Sequence, residues 1–390
     1  MYSFAGIFFG TLAFLSLLLT IWQWAVARRY PLHQRTQNKS FVPAVTFLKP
    51  LKGCDANTAK CLSSWLTQQY SAPVQILFGV SSPEDPVCDL VRQLMREHPP
   101  ADAELVICNQ KLGPNGKVST LAQLEPHIKY DVLVISDADV RVPNHFVADV
   151  VAPLQQPAVG LVHCFYQLAN PSTHALRWEE VAVNADFWTQ VLQAQSLGPI
   201  DFALGAVMCM PRARLDRIGG FRSLLEYLAD DYQLGRQIAR GGGELVLSPT
   251  VVECWSSPMN CKEVWSHQLR WARTIRVCRP ISYFFSILAN ATLWPLVWWL
   301  HQPALVSSAT LCGCLLFRVF TARDNQARLT RKQVGLGDFW IVWLKDLLNV
   351  AIWALAFLGS HIQWRGEQFR IARGGKLVKV VLSRRKRGIH

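Results

Sequence analysis

The sequence predicts an α/β protein in which an open, mostly parallel sheet lies between apolar helices at the two ends of the chain. Short apolar runs alternate with amphipathic segments from residue 41 to residue 280, which is typical of strands and helices that alternate along an open sheet. Both ends of the chain carry long apolar stretches. Of the 390 residues, 51% are hydrophobic and 17% are charged, whereas an average soluble chain is about 25% charged.

Four apolar runs in the middle of the chain predict strands, and they cover residues 44–48, 74–80, 104–108 and 130–136. Helical spacing of the apolar residues between these runs predicts helices over 57–69, 89–97 and 117–124. The last run, YDVLVIS, is apolar enough to lie in the centre of a parallel sheet. Ligands of such sheets bind beyond the carboxyl ends of the strands. The residues that follow Ser136 are therefore the first candidates for a site.

The N-terminal apolar stretch, residues 4–26, is long enough to cross a bilayer as a helix. It lacks the basic start and the small-residue cleavage site of a signal peptide. Basic residues follow it instead, at Arg28, Arg29, Arg35 and Lys39. The positive-inside rule then places the N-terminus outside and the following residues in the cytoplasm. We expect an uncleaved membrane anchor.

Two further apolar segments, 281–300 and 303–320, predict a membrane hairpin. The return segment would end at Arg318 and lead into a basic loop that contains Arg323, Arg328, Arg331 and Lys332. This arrangement agrees with the positive-inside rule.

The last apolar segment, 339–359, contains Lys345 and Asp346 and precedes a tail with four basic residues, Arg384, Arg385, Lys386 and Arg387. A full crossing would put that tail outside, against the charge rule. A re-entrant or interfacial helix would keep it inside. The sequence leaves both possibilities open.

The chain is expected to have four parts: a transmembrane anchor with a basic linker (1–40), a cytoplasmic α/β domain (41–280), a C-terminal membrane region (281–360) and a basic tail (361–390). The net charge of +13 suits surfaces that face anionic lipid and cytosol. No basic helix or module of stacking aromatics indicates a nucleic acid partner. The eleven cysteines form no CxxC pairs, which predicts reduced thiols.

Two acidic pairs are candidates for chemistry. Asp137 and Asp139 follow the central strand directly, where two carboxylates can hold one hard divalent cation that bridges phosphates, although turn-forming aspartates are also common there. Asp230 and Asp231 open the helical stretch DDYQLGRQIAR. Asp230 can act as a helix cap. Repulsion between adjacent carboxylates raises the proton affinity of one of them, so Asp231 is the candidate base.

A third element, HQLRW (267–271), lies just before the predicted hairpin. Arg270 can neutralise a departing diphosphate, and Trp271 can pack against an acceptor. The structural alternative is that Trp271 and Arg273 are interfacial anchors.

In their order and separation, these elements resemble the processive-type inverting glycosyltransferases, in particular the ceramide glucosyltransferase family and its bacterial relative associated with hopanoid lipids (family 2/21 type). The matching motifs are FLKPLKG (47–53), LGPNGKV (112–118), SDADVRV (136–142), GLVH (160–163), ALGAVMCMPRARLDRIGGF (203–221), YLADDYQLGRQIARGG (227–242) and HQLRW (267–271). The resemblance implies a GT-A fold for residues 41–280, a UDP-sugar donor, a membrane lipid acceptor and a divalent metal, Mg²⁺ or Mn²⁺. It also implies a place in the bacterial cytoplasmic (inner) membrane, with the catalytic domain on the cytoplasmic side.

The resemblance also assigns roles by motif position. It places Asp137 beside the uridine diphosphate and the metal on Asp139. It makes Asp231 the catalytic base, next to Asp230. His267, Arg270 and Trp271 would hold the diphosphate and the acceptor. Lys117 would contact donor phosphate or remain a solvated loop lysine, and His163 is expected to be structural.

This chain departs from the family pattern at two positions. Ser82 stands where the family has its first aspartate, near the uracil, which leaves Glu84 or Asp85 as substitutes. His267 stands where the family usually has Gln or Arg, and its charge depends on pH.

We therefore expect an inverting transferase that moves glucose or N-acetylglucosamine from a UDP-sugar to the hydroxyl of a membrane lipid, either ceramide-like or a hopanoid. A processive polysaccharide synthase is the alternative enzyme, but it would need more membrane helices after Trp271 than the two or three predicted. A catalytically inactive membrane sugar-binding protein is the alternative outside enzymes, and the intact acidic motifs argue against it.

Overall fold

The computed structural model describes residues 3–37, 40–99, 101–333, 335, 337–364 and 367–379. Eight strands form one sheet in the order β3-β2-β1-β4-β7-β6-β8-β5. Their bounds are β1 Val45–Leu51, β2 Val74–Val80, β3 Asp102–Ile107, β4 Val132–Ser136, β5 Val140–Arg141, β6 Val159–Leu168, β7 Val207–Pro211 and β8 Glu244–Cys254. All four strands predicted from apolar runs are present, within a few residues of their expected ends.

The first half of the sheet is parallel. β1 pairs with β2 and β4, and β2 pairs with β3, all in parallel. The connecting helices are α2 Thr58–Leu66, α3 Val87–Glu97 and α4 Gly116–Leu124. Every residue of β1 and β4 is buried, as expected for central strands covered on both faces. The carboxyl ends of β1, β2 and β4 therefore open at one edge of the sheet.

The second half of the sheet is mixed. β7 is antiparallel to β4 and β6, whereas the long strands β6 and β8 are parallel. The helices of this half are α5 Phe146–Val151, α6 His174–Val181, α7 Trp188–Ser196, α8 Arg212–Arg217, α9 Asp230–Arg240 and α10 Cys261–Cys278. A single π-helical turn, Ala182–Phe187, joins α6 to α7. The antiparallel β7 places the segment before it, which includes Gly205 and Ala206, against the end of β4.

Five of the described helices have strongly apolar sequences: α1 Phe4–Arg29, α11 Pro280–Phe285, α12 Leu293–His301, α13 Leu305–Thr330 and α14 Trp340–Phe357. By length and composition, α1, α13 and α14 can each cross a membrane, and α11 with α12 can form one broken span. These helices identify a membrane protein.

Two expectations about the membrane region were wrong in detail. The predicted single span 281–300 is bent by 56° between α11 and α12. The break has a local cause, because the Asn290 side chain accepts hydrogen bonds from the backbone N–H groups of Thr292 and Leu293 and so starts a new helix. The return helix also continues ten residues beyond Phe320, so that Arg323 and Arg328 lie within α13 and not in a loop.

The segment predicted as a basic tail contains a small antiparallel sheet in its described part. Its strands are β9 His361–Trp364, β10 Glu367–Ile371 and β11 Leu377–Lys379. The turn before β11 lies against α9: the Gln233 side chain donates to the Gly374 carbonyl at 2.7 Å, and Leu228 N–H donates to the Gly375 carbonyl at 3.1 Å. The four basic residues 384–387 lie outside the described residues.

Close packing of α9 generates a prediction about Gly235. A methyl group at this position would press on the backbone nitrogen of Ala203 and lie 2.8 Å from the carbonyl carbon of Phe202. Because backbone cannot move as a flexible side chain can, we expect Gly235→Ala to lower the free energy of unfolding by about 1–3 kcal/mol. The matched control is Gly313→Ala in α13, where an added methyl meets no atom within 4 Å. Thermal unfolding in detergent should show a lower Tm for the first variant only, and equal Tm values would contradict the packing.

Candidate functional site

The predicted acidic pairs meet at the edge where the strands open. Asp137 and Asp139 form the turn between β4 and β5, and Asp230 and Asp231 form the first turn of α9. Asp137 N–H bonds to the Ala206 carbonyl at 3.4 Å, which holds the first pair beside the segment that precedes β7. These pairs are 93 residues apart in the chain (137 to 230). The antiparallel pairing of β7 with β4 brings them together, because the segment before β7 bonds to Asp137 through Ala206 and lies against Asp231 at Gly205.

Lys117 joins the two acidic pairs. Its Nζ atom lies 2.6 Å from Asp137 Oδ1 and 3.4 Å from Asp230 Oδ2, and its side chain is only 9% exposed. Burial opposes the charged ammonium, but the carboxylates of Asp137 and Asp230 outweigh burial and raise the pKa of Lys117 above its usual value. Of the two possibilities for Lys117, the solvated loop lysine is therefore wrong.

Asn115 positions Lys117, and the sequence analysis did not identify it as a site residue. Its Oδ1 atom accepts hydrogen bonds from the backbone N–H groups of Lys117 and Val118, which caps the start of α4. Its Nδ2 atom donates to the Tyr227 carbonyl at 2.8 Å and to Asp230 Oδ1 at 3.3 Å. The signal for Asn115 is in the sequence, since an Asn two residues before Lys117 begins a predicted helix.

Lys49 is a second buried lysine that the sequence analysis did not single out. It lies in β1, donates to the Asp137 carbonyl and to Ser136 Oγ, and its Nζ atom stands 4.4 Å from the centre of the Trp65 ring. Burial lowers the pKa of Lys49 to about 7, although Asp137 and Asp139 act in the opposite direction. Lys49 thus fixes the backbone of the turn that carries Asp137 and Asp139. A lysine inside the apolar strand VTFLKPL is the sequence signal for such a role.

Asp231 holds its proton more tightly than an ordinary aspartic acid does. Burial and the neighbouring Asp230 carboxylate raise the pKa of Asp231 to about 7, while Lys117 and the Tyr232 N–H act to lower it. Gly205 leaves space beside this group, because a methyl group there would lie 2.7 Å from Asp231 Oδ2. Asp231 can therefore exist as a carboxylate or as an acid near neutral pH.

Asp139 is exposed to solvent within the same recess. Desolvation by the protein atoms around its carboxyl group, together with the Asp137 carboxylate, nevertheless raises the pKa of Asp139 to about 6. Among the described residues, no three His, Cys, Asp or Glu side chains converge as a ready metal site. The hard oxygen atoms of Asp137 and Asp139 nevertheless fit a magnesium-type ion, which proteins hold by one or two carboxylates together with substrate phosphates.

The HQLRW motif lies on α10, which the Tyr232 hydroxyl ties to α9 by a 3.1 Å bond to the Cys278 carbonyl. His267 Nδ1 lies 2.5 Å from Oε1 of the buried Glu179, and the ring of Trp271 lies 4.6 Å from the His267 ring. Arg270 lies partly buried on the same helix. Glu179 was missed by the sequence analysis, because its partner is 88 residues away (179 to 267) and no local pattern marks it.

Aromatic rings connect this motif with the acidic recess. Phe187 lies 6.3 Å from Trp271 and 5.4 Å from Tyr166 between ring centres. Burial raises the pKa of Tyr166 well above its usual value, and the charges of Asp231 and Glu179 add to this effect. Tyr166 is therefore influenced by the charge of the candidate base and by that of Glu179.

The remaining predicted residues have structural partners. Asp85 accepts hydrogen bonds from Gly53 N–H at 2.9 Å and from Val87 N–H at 3.0 Å, and Glu84 is exposed and bonded to Ser82. Both follow β2, two strands along the sheet from Asp137. His163 is fully buried in β6, accepts from Leu204 N–H at Nδ1, and has a pKa that burial lowers to about 3.

The sequence profile of Glycosyl transferase family 21 matches residues 8–377. This chain belongs to that family. It is therefore a glycosyltransferase, as its acidic recess and motif order indicated. Two relatives from Caenorhabditis elegans are named ceramide glucosyltransferase 3 and ceramide glucosyltransferase 1. Each is 23% identical to this chain; the alignments cover 90% of this chain and 77% of the first relative, and 89% of this chain and 76% of the second.

One similar solved structure is the mannosyltransferase from Pyrobaculum calidifontis in complex with GDP-mannose and Mn²⁺. It is 18% identical, has a TM-score of 0.50, and covers 89% of this chain and 99% of its own. At this identity the likeness concerns the fold. The predicted GT-A architecture is confirmed.

The Glu179–His267 contact generates a prediction about this glycosyltransferase. We expect Glu179→Gln to lower kcat/KM by about tenfold, because a charge-assisted hydrogen bond that orients His267 is worth about 1.4 kcal/mol or more. In a His267→Gln background the same change should have little effect, since the amide then present on α10 can bond equally well to a carboxylate or to a second amide. The matched control is Glu180→Gln, which alters the adjacent residue.

The coupling is tested by the transfer rates and thermal unfolding curves of the wild type, the two single variants, the double variant and the control. Additive effects of the two substitutions would mean that Glu179 does not act through His267.

Proposed function

We propose that this glycosyltransferase moves glucose or N-acetylglucosamine from a UDP-sugar to the hydroxyl of a membrane lipid, either ceramide-like or a hopanoid. The observation that carries the proposal is the continuity between the recess of Asp137, Lys117 and Asp231 and the helix α10, which leads directly into the apolar helix α11. The names of the two C. elegans relatives support ceramide as the acceptor class and glucose as the sugar.

In the proposed reaction, Asp231 takes the proton of the acceptor hydroxyl. A pKa of about 7 lets Asp231 be deprotonated before the reaction and accept a proton during it. The acceptor oxygen then bonds to the anomeric carbon as the bond from that carbon to the diphosphate oxygen breaks. One displacement inverts the anomeric centre and gives a β-glycoside from an α-linked donor. Gly205 allows the Asp231 side chain to pack directly against the backbone that precedes β7, which holds the base in place.

The donor diphosphate is proposed to lie beside Asp137, Lys117 and Asp139. Asp139, with Asp137 beside it, would hold Mg²⁺ or Mn²⁺. When bound, such an ion stabilises the negative charge that develops on the leaving diphosphate. Lys117 supplies a fixed positive charge at the same place. Glu84 and Asp85 stay predictions for the nucleobase side, with Glu84 the more available because Asp85 is occupied by backbone N–H groups.

The acceptor is proposed to lie along α10. Arg270 would neutralise the leaving diphosphate, and His267 and Trp271 would contact the acceptor headgroup. The ring contacts from Trp271 on α10 through Phe187 to Tyr166 in β6 support this proposal, because they form a continuous apolar wall. A lipid hydroxyl could reach the base along this wall while its chains remain in the membrane.

The proposed location is the bacterial cytoplasmic membrane, with the α/β domain facing the cytoplasm. The C-terminal ends of α1 and α13 lie together beside this domain, where the Arg328 side chain donates to the carbonyl groups of Ala27 and Arg28. Arg28 and Arg29 lie at the same end of α1. This clustering of basic residues agrees with the positive-inside rule.

The reaction can be tested in membranes that contain the protein, with isotopically labelled UDP-glucose or UDP-N-acetylglucosamine in Mg²⁺ buffer and mass analysis of the lipid extract. We expect one sugar on a lipid acceptor. Asp231→Asn should lower turnover by about 10²–10⁴-fold, the usual contribution of a general base, while UDP affinity is retained. Asp216→Asn, on an exposed residue of α8, is the matched control. Polymer products, or full turnover by Asp231→Asn, would contradict the proposal.

The pH dependence of kcat provides a separate prediction. Because Asp231 must be deprotonated to act as a base and its pKa is raised to about 7, kcat should fall as the pH drops below about 7. In Asp230→Asn this decline should move to lower pH, because the neighbouring charge that raises the pKa of Asp231 is removed. Initial rates between about pH 5 and pH 9, at saturating substrates, measure both profiles. If kcat declined over the same pH range in both proteins, the decline would not be due to protonation of Asp231.

A further inference from the structure

The apolar helix α14 has both of its ends attached to the α/β domain. Before its start, Asp338 lies 2.5 Å from Arg177 of α6. After its end, Arg276 and Arg273 of α10 donate to the carbonyl groups of Gly359 and His361. A spanning helix of 18 residues would place its ends about 27 Å apart in depth, on opposite surfaces of the membrane. Contacts of both ends with one domain do not fit such a crossing.

Both halves of α14 also contact other apolar helices. Near its start, Trp343 Nε1 donates to the Leu315 carbonyl of α13 at 3.1 Å. Near its end, Trp353 Nε1 donates to the Tyr283 carbonyl of α11 at 3.0 Å. Leu315 lies near the middle of α13. Tyr283 lies in α11, on the α10 side of the bend between α11 and α12. α14 therefore packs across α13 and reaches α11 close to the point where α10 ends.

Two charged residues of α14 are buried between these two contacts. Asp346 accepts from Arg318 of α13 at 2.9 Å and from Thr292 at 2.7 Å. Lys345 forms an ion pair with Asp346 at 2.7 Å and another with Asp186 of the π-helical turn. Two carboxylates and two cations thus compensate each other, as buried charges require. The cluster joins α13, α14 and the α/β domain at one point.

The opposite face of α14 is an uninterrupted apolar stripe. Its exposed residues are spaced by three or four positions along the whole helix, and they are Trp340, Leu344, Leu347, Ala351, Ala354 and Phe357. This spacing places them on one side of a helix. The same layer includes the exposed residues Ile281, Phe284 and Phe285 of α11.

We propose that α14 does not cross the membrane but lies in the plane of its interface, with this stripe against the boundary between lipid headgroups and acyl chains. The occupant of the stripe is the bilayer itself, because the stripe is continuous with α11 and lies at the side of α13. The segment after α14, including β9–β11, then lies on the same side as the α/β domain. Of the two possibilities that the sequence leaves open for 339–359, the interfacial helix is the one inferred.

Cysteine labelling tests this topology without reference to the transfer reaction. The parent protein has the exposed Cys54, Cys261 and Cys312 replaced by serine. Single cysteines are then introduced as Lys332→Cys before α14, His361→Cys after it, and Pro303→Cys between α12 and α13. Each variant is treated with a membrane-impermeant maleimide in inverted and in right-side-out vesicles from a bacterial host, and the parent measures residual labelling.

We expect Lys332→Cys and His361→Cys to react in the same vesicle orientation and Pro303→Cys to react in the other. If His361→Cys reacted in the same vesicle orientation as Pro303→Cys, the proposal would be overturned, because α14 would then cross the membrane. A second pair, Gln333→Cys and Val378→Cys, guards against misfolding of one variant. Labelling does not depend on the donor or the acceptor, so its result is separate from the test of the proposed function.

Discussion

The arrangement of the site depends on one buried ammonium group. Lys117 bridges Asp137 at the end of β4 and Asp230 at the start of α9, and these carboxylates would otherwise repel each other and Asp231 across a recess of low polarity. Asn115 fixes the backbone of Lys117 and bonds to Asp230, so the position of the cation is set by the chain and not by solvent. Lys117 therefore offsets part of the negative charge in the recess before any substrate binds, and burial together with Asp230 raises the pKa of Asp231 to about 7.

A second balance of charges joins this recess to the membrane region. Asp186 and Asp346 pair with Arg318 and Lys345 where the α/β domain, α13 and α14 meet. Such a cluster is costly to break, because removal of one member leaves a buried charge without its partner. Its physical effect is to fix the height of the α/β domain relative to the apolar helices. The HQLRW helix α10 packs on α14, so the proposed lipid acceptor would meet Trp271 and His267 beside the apolar helices.

His267 illustrates how a departure from a family pattern can be compensated at a distance. An imidazole in place of Gln gains a partner, because Glu179 lies beneath it and also accepts from Gln268 at 3.0 Å. The carboxylate fixes which ring nitrogen faces it and leaves Nε2 directed elsewhere. The ring is further held by Trp271. The compensation comes from α6, a part of the chain that no motif had marked.

The sequence by itself determined the strands β1–β4, the acidic pairs and the family, because each depends on local composition or on the order of motifs along the chain. It did not reveal Lys49 or Glu179, since their roles depend on partners 88 residues away in each case (49 to 137, 179 to 267). It also left the helix at 339–359 undecided, because hydropathy measures how apolar a segment is and not where its ends are attached. Only the tertiary structure, which bonds both ends of α14 to one domain and pairs Lys345 and Asp346 with distant charges, supplied that answer.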